Sequence, residues 1–165
     1  ENVLICRKNI IMTRFDAIDK KILMLLQHDA RLTTKEIADK LGRSVTAVYE
    51  RIRWLQDEGY IKAYVALLNR EKIEKYLVAY TNVQLKEHAH LMLKDFEKAV
   101  VKLSEVMECY HMTGSYDYLL KIVVHDMNAY HDFILNKLAK LSNIGTVQSS
   151  FIMTEVKFDT AYPVT

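Results

Sequence analysis

The 165-residue chain has two cysteines, one tryptophan, one proline and four glycines, and most of these scarcities close off a class of protein. Cys6 and Cys109 form no CxxC and no Cys/His metal spacing. Cys109 falls in an apolar, strand-like run, so it is expected as a buried thiol without redox work. With so few glycines there is no Gly-rich phosphate loop, and neither HExxH nor GxSxG occurs. No apolar run approaches the roughly 20 residues of a membrane span. The opening ENVLICRKNIIMT lacks the long apolar core and small-residue cleavage site of a signal peptide. Met12 directly precedes the first helical pattern, so residues 1–11 read as a tag, an upstream translation or a native arm. The expectation is an intracellular protein with no membrane partner.

Charge of one sign is also scarce, at a formal net +2, but it is unevenly placed. Residues 1–68 carry 12 Lys+Arg against 9 Asp+Glu, and residues 69–165 carry 11 against 12. The small positive excess sits in the first half. What the chain has in quantity is ordinary globular material, 50% hydrophobic and 27% charged, which argues against disorder.

Helical periodicity dominates that first half. Ile18, Ile22, Leu25 and Leu26 share one face of a helix over residues 15–27, with Asp16 placed to cap it. A second helix opens at Thr33 or Thr34 and buries Ile37, Ala38 and Leu41, and Gly42 ends it. Ser44 caps a third helix whose apolar stripe is Val48, Ile52 and Leu55, with Gly59 closing it. Residues 61–69, IKAYVALLN, have the β-branched and aromatic content of a hairpin strand. Two short helices joined by a tight turn and followed by a β-segment make a winged helix-turn-helix, which seats one helix in the major groove of DNA.

The third helix assigns roles. With Val48, Ile52 and Leu55 turned inward, a rotation of about 100° per residue puts Thr46, Glu50 and Arg53 outward. Ala47 lies to one side and Tyr49 to the other. Arg53 can pair bidentately with guanine or clamp phosphate, Glu50 can accept from cytosine, and Ala47 lets a thymine methyl approach. Thr46 and Ser44 can hydrogen-bond bases or backbone, while Arg43, Lys35 and Arg31 suit phosphate anchoring. Arg51 lies nearer the buried side, where its role is structural. The competing reading is a solvated face on a three-helix protein-docking domain.

From Tyr76 the period changes. Residues 77–85 read as a strand and 89–103 as an amphipathic helix; 106–112 and 118–124 read as strands about a turn at Thr113-Gly114-Ser115. Asp126 starts another helix, and residues 146–157 close as a strand. The order β-α-β-β-α-β makes an antiparallel sheet with both helices on one face. The fold class is therefore α+β. The domains are expected at 12–60 for the winged helix-turn-helix, 61–75 for a β-hairpin strand linker, and 76–160 for a ferredoxin-like module.

At this point the chain resembles the Lrp/AsnC (leucine-responsive/asparagine regulator, feast/famine) family of prokaryotic transcription factors. The resemblance is carried by FDAIDKKIL at residues 15–23, EIADKLGRSVTAVYERIRWLQDEGYI, YVALLN and GSYDYLLKI at 114–122. It implies a cytoplasmic, nucleoid-associated regulator without a cofactor, responsive to an amino acid or related effector. It also implies sheet-to-sheet homodimers that assemble into octamers. On that resemblance Gly114, Ser115, Tyr116 and Asp117 line the effector pocket, with Met112 and Ser149 adjoining. A glycine-led turn offers backbone N–H groups to a carboxylate, and Asp117 suits an α-ammonium. Equally, Gly114 can simply make the hairpin turn and Asp117 brace it. Two family features are missing: Val45 stands where a proline often follows the capping serine, and Glu74-Lys75-Tyr76 stands where a glycine often follows the LN motif.

Two rivals use the same scaffold. A sirohaem decarboxylase-like enzyme needs a tetrapyrrole pocket, for which His111 is the one candidate partner. An architectural protein coats DNA with little sequence preference, giving a steep salt slope and a small specificity ratio. Four other histidines, His88 and His90 at a helix start and His125 and His131 further on, lack the spacing of a metal set.

Overall fold

The structure is a computed structural model that describes residues 15–164. Cys6, Met12 and the arm at 1–11 lie outside the described residues. The chain divides into two units, one formed by residues up to Ala66 together with those from Lys157 on, the other by Leu67–Val156.

The first unit holds α1 (Ala17–His28), α2 (Thr34–Leu41) and α3 (Val45–Asp57). Each starts on the cap its sequence supplies. The Asp16 carboxylate accepts the N–H groups of Ile18 at 2.7 Å and Asp19 at 3.0 Å, and Asp19 accepts the Asp16 N–H at 2.9 Å. Thr33 and Glu36 form the same reciprocal box on α2, and Ser44 Oγ accepts from Ala47 N–H at 3.3 Å on α3. Gly42 ends α2 at φ 61°; a Cβ there would meet nothing within 4 Å, so glycine is needed for backbone conformation rather than for space. Ile22, Leu26, Ile37, Ala38, Val48 and Leu55 form the core, with Leu41, Ile52 and Trp54 packed against it. The tail returns to this unit, where the Gln27 amide donates to Tyr162 O at 3.0 Å and accepts from Tyr162 N–H at 2.7 Å.

Arg51, expected as structural, reaches from α3 to the start of α1. Its guanidinium donates to Asp16 at 2.9 Å and to Asp19 at 2.8 Å, and the Asp19 side chain is 0% exposed. Burial would raise the Asp16 carboxyl, but the Asp19 N–H, Arg51 and the Ile18 N–H outweigh it and hold the carboxyl below its ordinary value.

The strand read over residues 61–69 does not form. Among the described residues that segment carries no ladder, Val65, Leu67 and Leu68 are exposed, and a single 3₁₀ turn at Glu71–Ile73 follows. Strand composition is present, but a strand exists only where its N–H and C=O groups find a neighbouring chain segment.

The second unit has β1 (Leu77–Leu85), α4 (His90–Val100), β2 (Val106–His111), β3 (Tyr118–Val124), α5 (Met127–Asn136) and β4 (Ile144–Phe151). The sheet is antiparallel in the order β2-β3-β1-β4. Residues of β3 alternate, with Tyr118, Leu120, Ile122 and Val124 buried in a core shared with Phe96, Val100, Tyr130 and Phe133 from the helices. Leu119, Lys121 and Val123 point to the other face and are only half-buried. Cys109 packs against the edge of the core, where burial pushes its thiol up. β4 ends at Phe151 rather than at 157, because Ile152 N–H already pairs with Val78 O at 3.0 Å and β1 begins one residue earlier.

Breaking the buried clasp removes a charge partner from Asp19, a change that costs about 3 kcal/mol. Arg51→Met should lower the urea midpoint by that order at neutral pH. Asp16 is depressed in the folded state, so its contribution is present above its unfolded value and lost as pH falls through the folded one. Stability measured from pH 5 to pH 3 should therefore fall more steeply for the native chain than for the variant.

Candidate nucleic-acid interface and effector turn

The outward face of α3 follows from its inward one. Val48 and Leu55 are fully buried, and Thr46, Ala47, Glu50 and Arg53 are all exposed. Arg43 and Ser44 are exposed at the helix start, and Lys35 on α2 and Arg31 before it complete a set that is open to solvent. Two of the cations hold loose partners. Arg31 pairs with Asp29 at 3.1 Å, and Arg53 lies 3.8 Å from Asp57 one turn on, both in solvent. Exposed pairs of that kind contribute little and are readily exchanged for phosphate or a base edge. All eight residues singled out in the sequence are thus accessible, and the one arginine set apart as structural is the one held inside.

The turn in the second unit is more tightly tied. Gly114 sits at φ 121°, a conformation that side chains rarely adopt. The backbone of Asp117 pairs on both sides, its N–H with Val83 O at 3.0 Å and its C=O with Met112 N–H at 2.8 Å. Its carboxylate accepts the Leu85 N–H at 2.7 Å and faces His88 Nε2 at 3.0 Å. Asp117 therefore braces the turn against the end of β1, the second of the roles its sequence allows. His88 is a partner that spacing alone could not reveal, since 29 residues separate the two.

Asn143, at φ 71°, laces the same end of the sheet, accepting from Glu87 N–H at 2.8 Å and donating to Glu87 O at 2.7 Å. Tyr116 donates its hydroxyl to Gln148. Ser149 is placed apart from the turn residues. It lies opposite Thr81 and joins a hydroxyl cluster in which Thr81 Oγ1 lies 2.9 Å from the Tyr130 hydroxyl and 3.2 Å from Ser149 Oγ. Gly114, Ser115, Tyr116 and Asp117 stay contiguous, with Met112 across the turn.

His111 stacks on Tyr118 with ring centroids 4.8 Å apart and remains exposed. Among the described residues no group of three or more His, Cys, Asp or Glu side chains is placed to hold a metal. No helix of the described residues is long and apolar enough to cross a membrane.

A helix-turn-helix with an open third helix, joined to a four-stranded α+β module, is the architecture of a DNA-binding transcriptional regulator. Residues 15–62 match the winged helix-turn-helix DNA-binding model, and residues 78–162 match the Lrp/AsnC ligand binding domain. The chain belongs to the Lrp/AsnC family. It is 35% identical over 153 residues to the Bkd operon transcriptional regulator of Pseudomonas aeruginosa, covering 93% of this chain and 100% of that one. It is 37% identical over 142 residues to the leucine-responsive regulatory protein of Escherichia coli, covering 86% and 87%. A transcriptional regulator of Neisseria meningitidis, solved in complex with L-Met, superposes with a TM-score of 0.87 at 35% identity, covering 91% of this chain and 97% of that one.

Asp117→Ala leaves the Leu85 N–H without its partner, which should cost about 1–3 kcal/mol in urea unfolding. His88→Ala removes only an exposed contact and should cost under about 1 kcal/mol. Equal costs would show that the brace runs through the histidine instead.

Proposed function

We propose that the protein reads operator DNA through Thr46, Ala47, Glu50 and Arg53, with Ser44, Arg43, Lys35 and Arg31 fixing it to the backbone. The observation that carries this is the orientation of α3, whose buried Val48 and Leu55 leave those side chains in solvent. A helix so presented meets base edges with its N-terminal turns, and paired copies meet successive half-sites about 34–36 Å apart.

The working form is a homodimer. Three features of the single chain support it. The sheet face bearing Tyr80, Asn82, Leu119 and Val123 is left uncovered by the helices of its own unit. The segment at 61–69 has strand composition and no strand partner among the described residues. Met153 and Val156 beyond β4 are almost fully exposed. Apolar surface of this extent on a sheet and its flanking segments is what a second copy would bury.

The effector is an amino acid, bound at the turn of Gly114, Ser115, Tyr116 and Asp117. The L-Met complex of the Neisseria meningitidis relative supports that chemistry. Because Asp117 already holds the Leu85 N–H, the turn's exposed glycine and serine are better placed than Asp117 to meet a carboxylate. The effector acts by binding one assembly or conformational state better than another.

Light-scattering mass on the pure protein, with and without a panel of amino acids, tests the assembly, and binding to its own upstream DNA tests the reader. A mass of two or eight chains that shifts with one amino acid, or a DNA affinity that does so, is expected. A monomer that ignores every amino acid would overturn the sensing reading. Arg53→Ala should weaken specific binding by about 1–3 kcal/mol, the worth of a bidentate base contact. If it binds the operator like the native chain, the assigned face of α3 is wrong.

A further inference from the structure

Val45 and Tyr49 stand on the opening turns of α3 with 46% and 52% of their surface exposed. They are one turn apart, and Arg53 follows one turn later on the same flank. A single exposed apolar side chain is ordinary. Two stacked beside an exposed arginine, on the helix of a DNA-binding unit, ask for an occupant.

Their surroundings narrow the choice. The opposite flank of α3 is engaged by its own unit, through Arg51 on Asp16 and Asp19 and through Trp54 on Tyr60 at 5.4 Å. Further along the Val45 flank, the Gln56 amide donates to the Tyr64 hydroxyl at 3.3 Å, so the linker occupies the last turns. What stays open is the N-terminal part, the part a recognition helix brings to base edges. It is continuous with exposed Thr46, Arg43 and Arg53. Apolar side chains have one specific partner in the major groove, the 5-methyl group of thymine.

We infer that Val45 and Tyr49 read thymine methyl groups, so that each half-site carries thymines that this chain selects by apolar contact, beside the polar readout by Arg53 and Glu50. The inference rests on the proposed orientation of α3 and deepens it. Val45 meets one methyl and the Tyr49 ring another; the Tyr49 hydroxyl is not needed for the preference.

The test uses the full chain. A consensus is selected from randomised duplexes, and each thymine in it is then replaced by deoxyuridine, which lacks only the methyl group. The native protein should lose about fourfold in affinity at the methyl each side chain meets, the worth of one buried methylene. In Val45→Ala the loss at one such position should shrink below twofold, and in Tyr49→Ala the loss at another, while Tyr49→Phe keeps the native pattern. Thermal melting checks that the variants fold, and the deoxyuridine arm on the native chain does not depend on them.

Deoxyuridine losses that are absent in the native chain, or equal in it and both alanine variants, overturn the inference while leaving the reader intact. Failure of the native protein to select any consensus would overturn the reader itself and this inference with it. A change of light-scattering mass in Val45→Ala, with an unchanged thymine preference, would give the flank to a second copy of the chain and overturn it too.

Discussion

The clasp of Arg51 on Asp16 and Asp19 sets the geometry on which the proposed DNA-reading face depends. Asp19 is fully buried, and a buried carboxylate is tolerated only where a cation and hydrogen bonds replace its water. Those come from two places, the Asp16 N–H on the same helix and the guanidinium of α3. One carboxylate therefore both caps α1 and fixes the rotation of α3. A rotation of α3 by one residue, about 100°, would strand the charge and turn Arg53 away from solvent. Apolar packing of Val48 and Leu55 alone tolerates more slippage, because hydrophobic contact is non-directional. The ion pair supplies the direction.

The second unit solves a different problem with a different device. Its sheet buries one face under two helices, and strict alternation along β3 assigns every side chain to a face. A one-residue slip would move the whole core set outward, so register is strongly specified. Thr81 is the exception that confirms how demanding that core is. It is a fully buried hydroxyl, tolerated because Tyr130 and Ser149 satisfy it. Asp117 does for the turn what Asp19 does for α1, using one carboxylate to tie elements distant in sequence.

Much of this was legible in the residues, for a physical reason that also says where reading stops. β1 and β3 were readable to the residue because both are internal strands, with a partner on each side and one face in the core. The three caps of the first unit were readable because they are local bonds over two or three residues. Residues 61–69 were not, since composition shows strand preference but not whether a partner exists. The end of β4 was not, because it depends on where β1 begins, some 70 residues earlier. The role of Arg51 was half legible: periodicity turned it inward, but only the fold brings it to Asp19, 32 positions away. His88 on Asp117 is the same kind of contact and gave no signal at all.

The charge pattern of the first unit bears on how it distinguishes one DNA from another. Non-specific affinity grows with each phosphate that a cation neutralises, and it falls steeply with salt. Here two of the four cations of the proposed reading surface come with acids, Arg31 with Asp29 and Arg53 with Asp57, and Glu50 stands on the outward face of α3 itself. Each acid lowers the attraction to phosphate regardless of sequence. The attraction can be recovered only where a base edge accepts from the arginine or donates to the glutamate. Weak general attraction combined with local, geometry-dependent contacts raises the ratio of specific to non-specific binding, which is the quantity that finds a site among a genome's competitors. A protein built to coat DNA would gain from the opposite choice, a surface of unopposed lysines. On this chain the near-balance of charge in the reading unit is therefore an argument for sequence selection, made by the same acids that reduce its overall affinity.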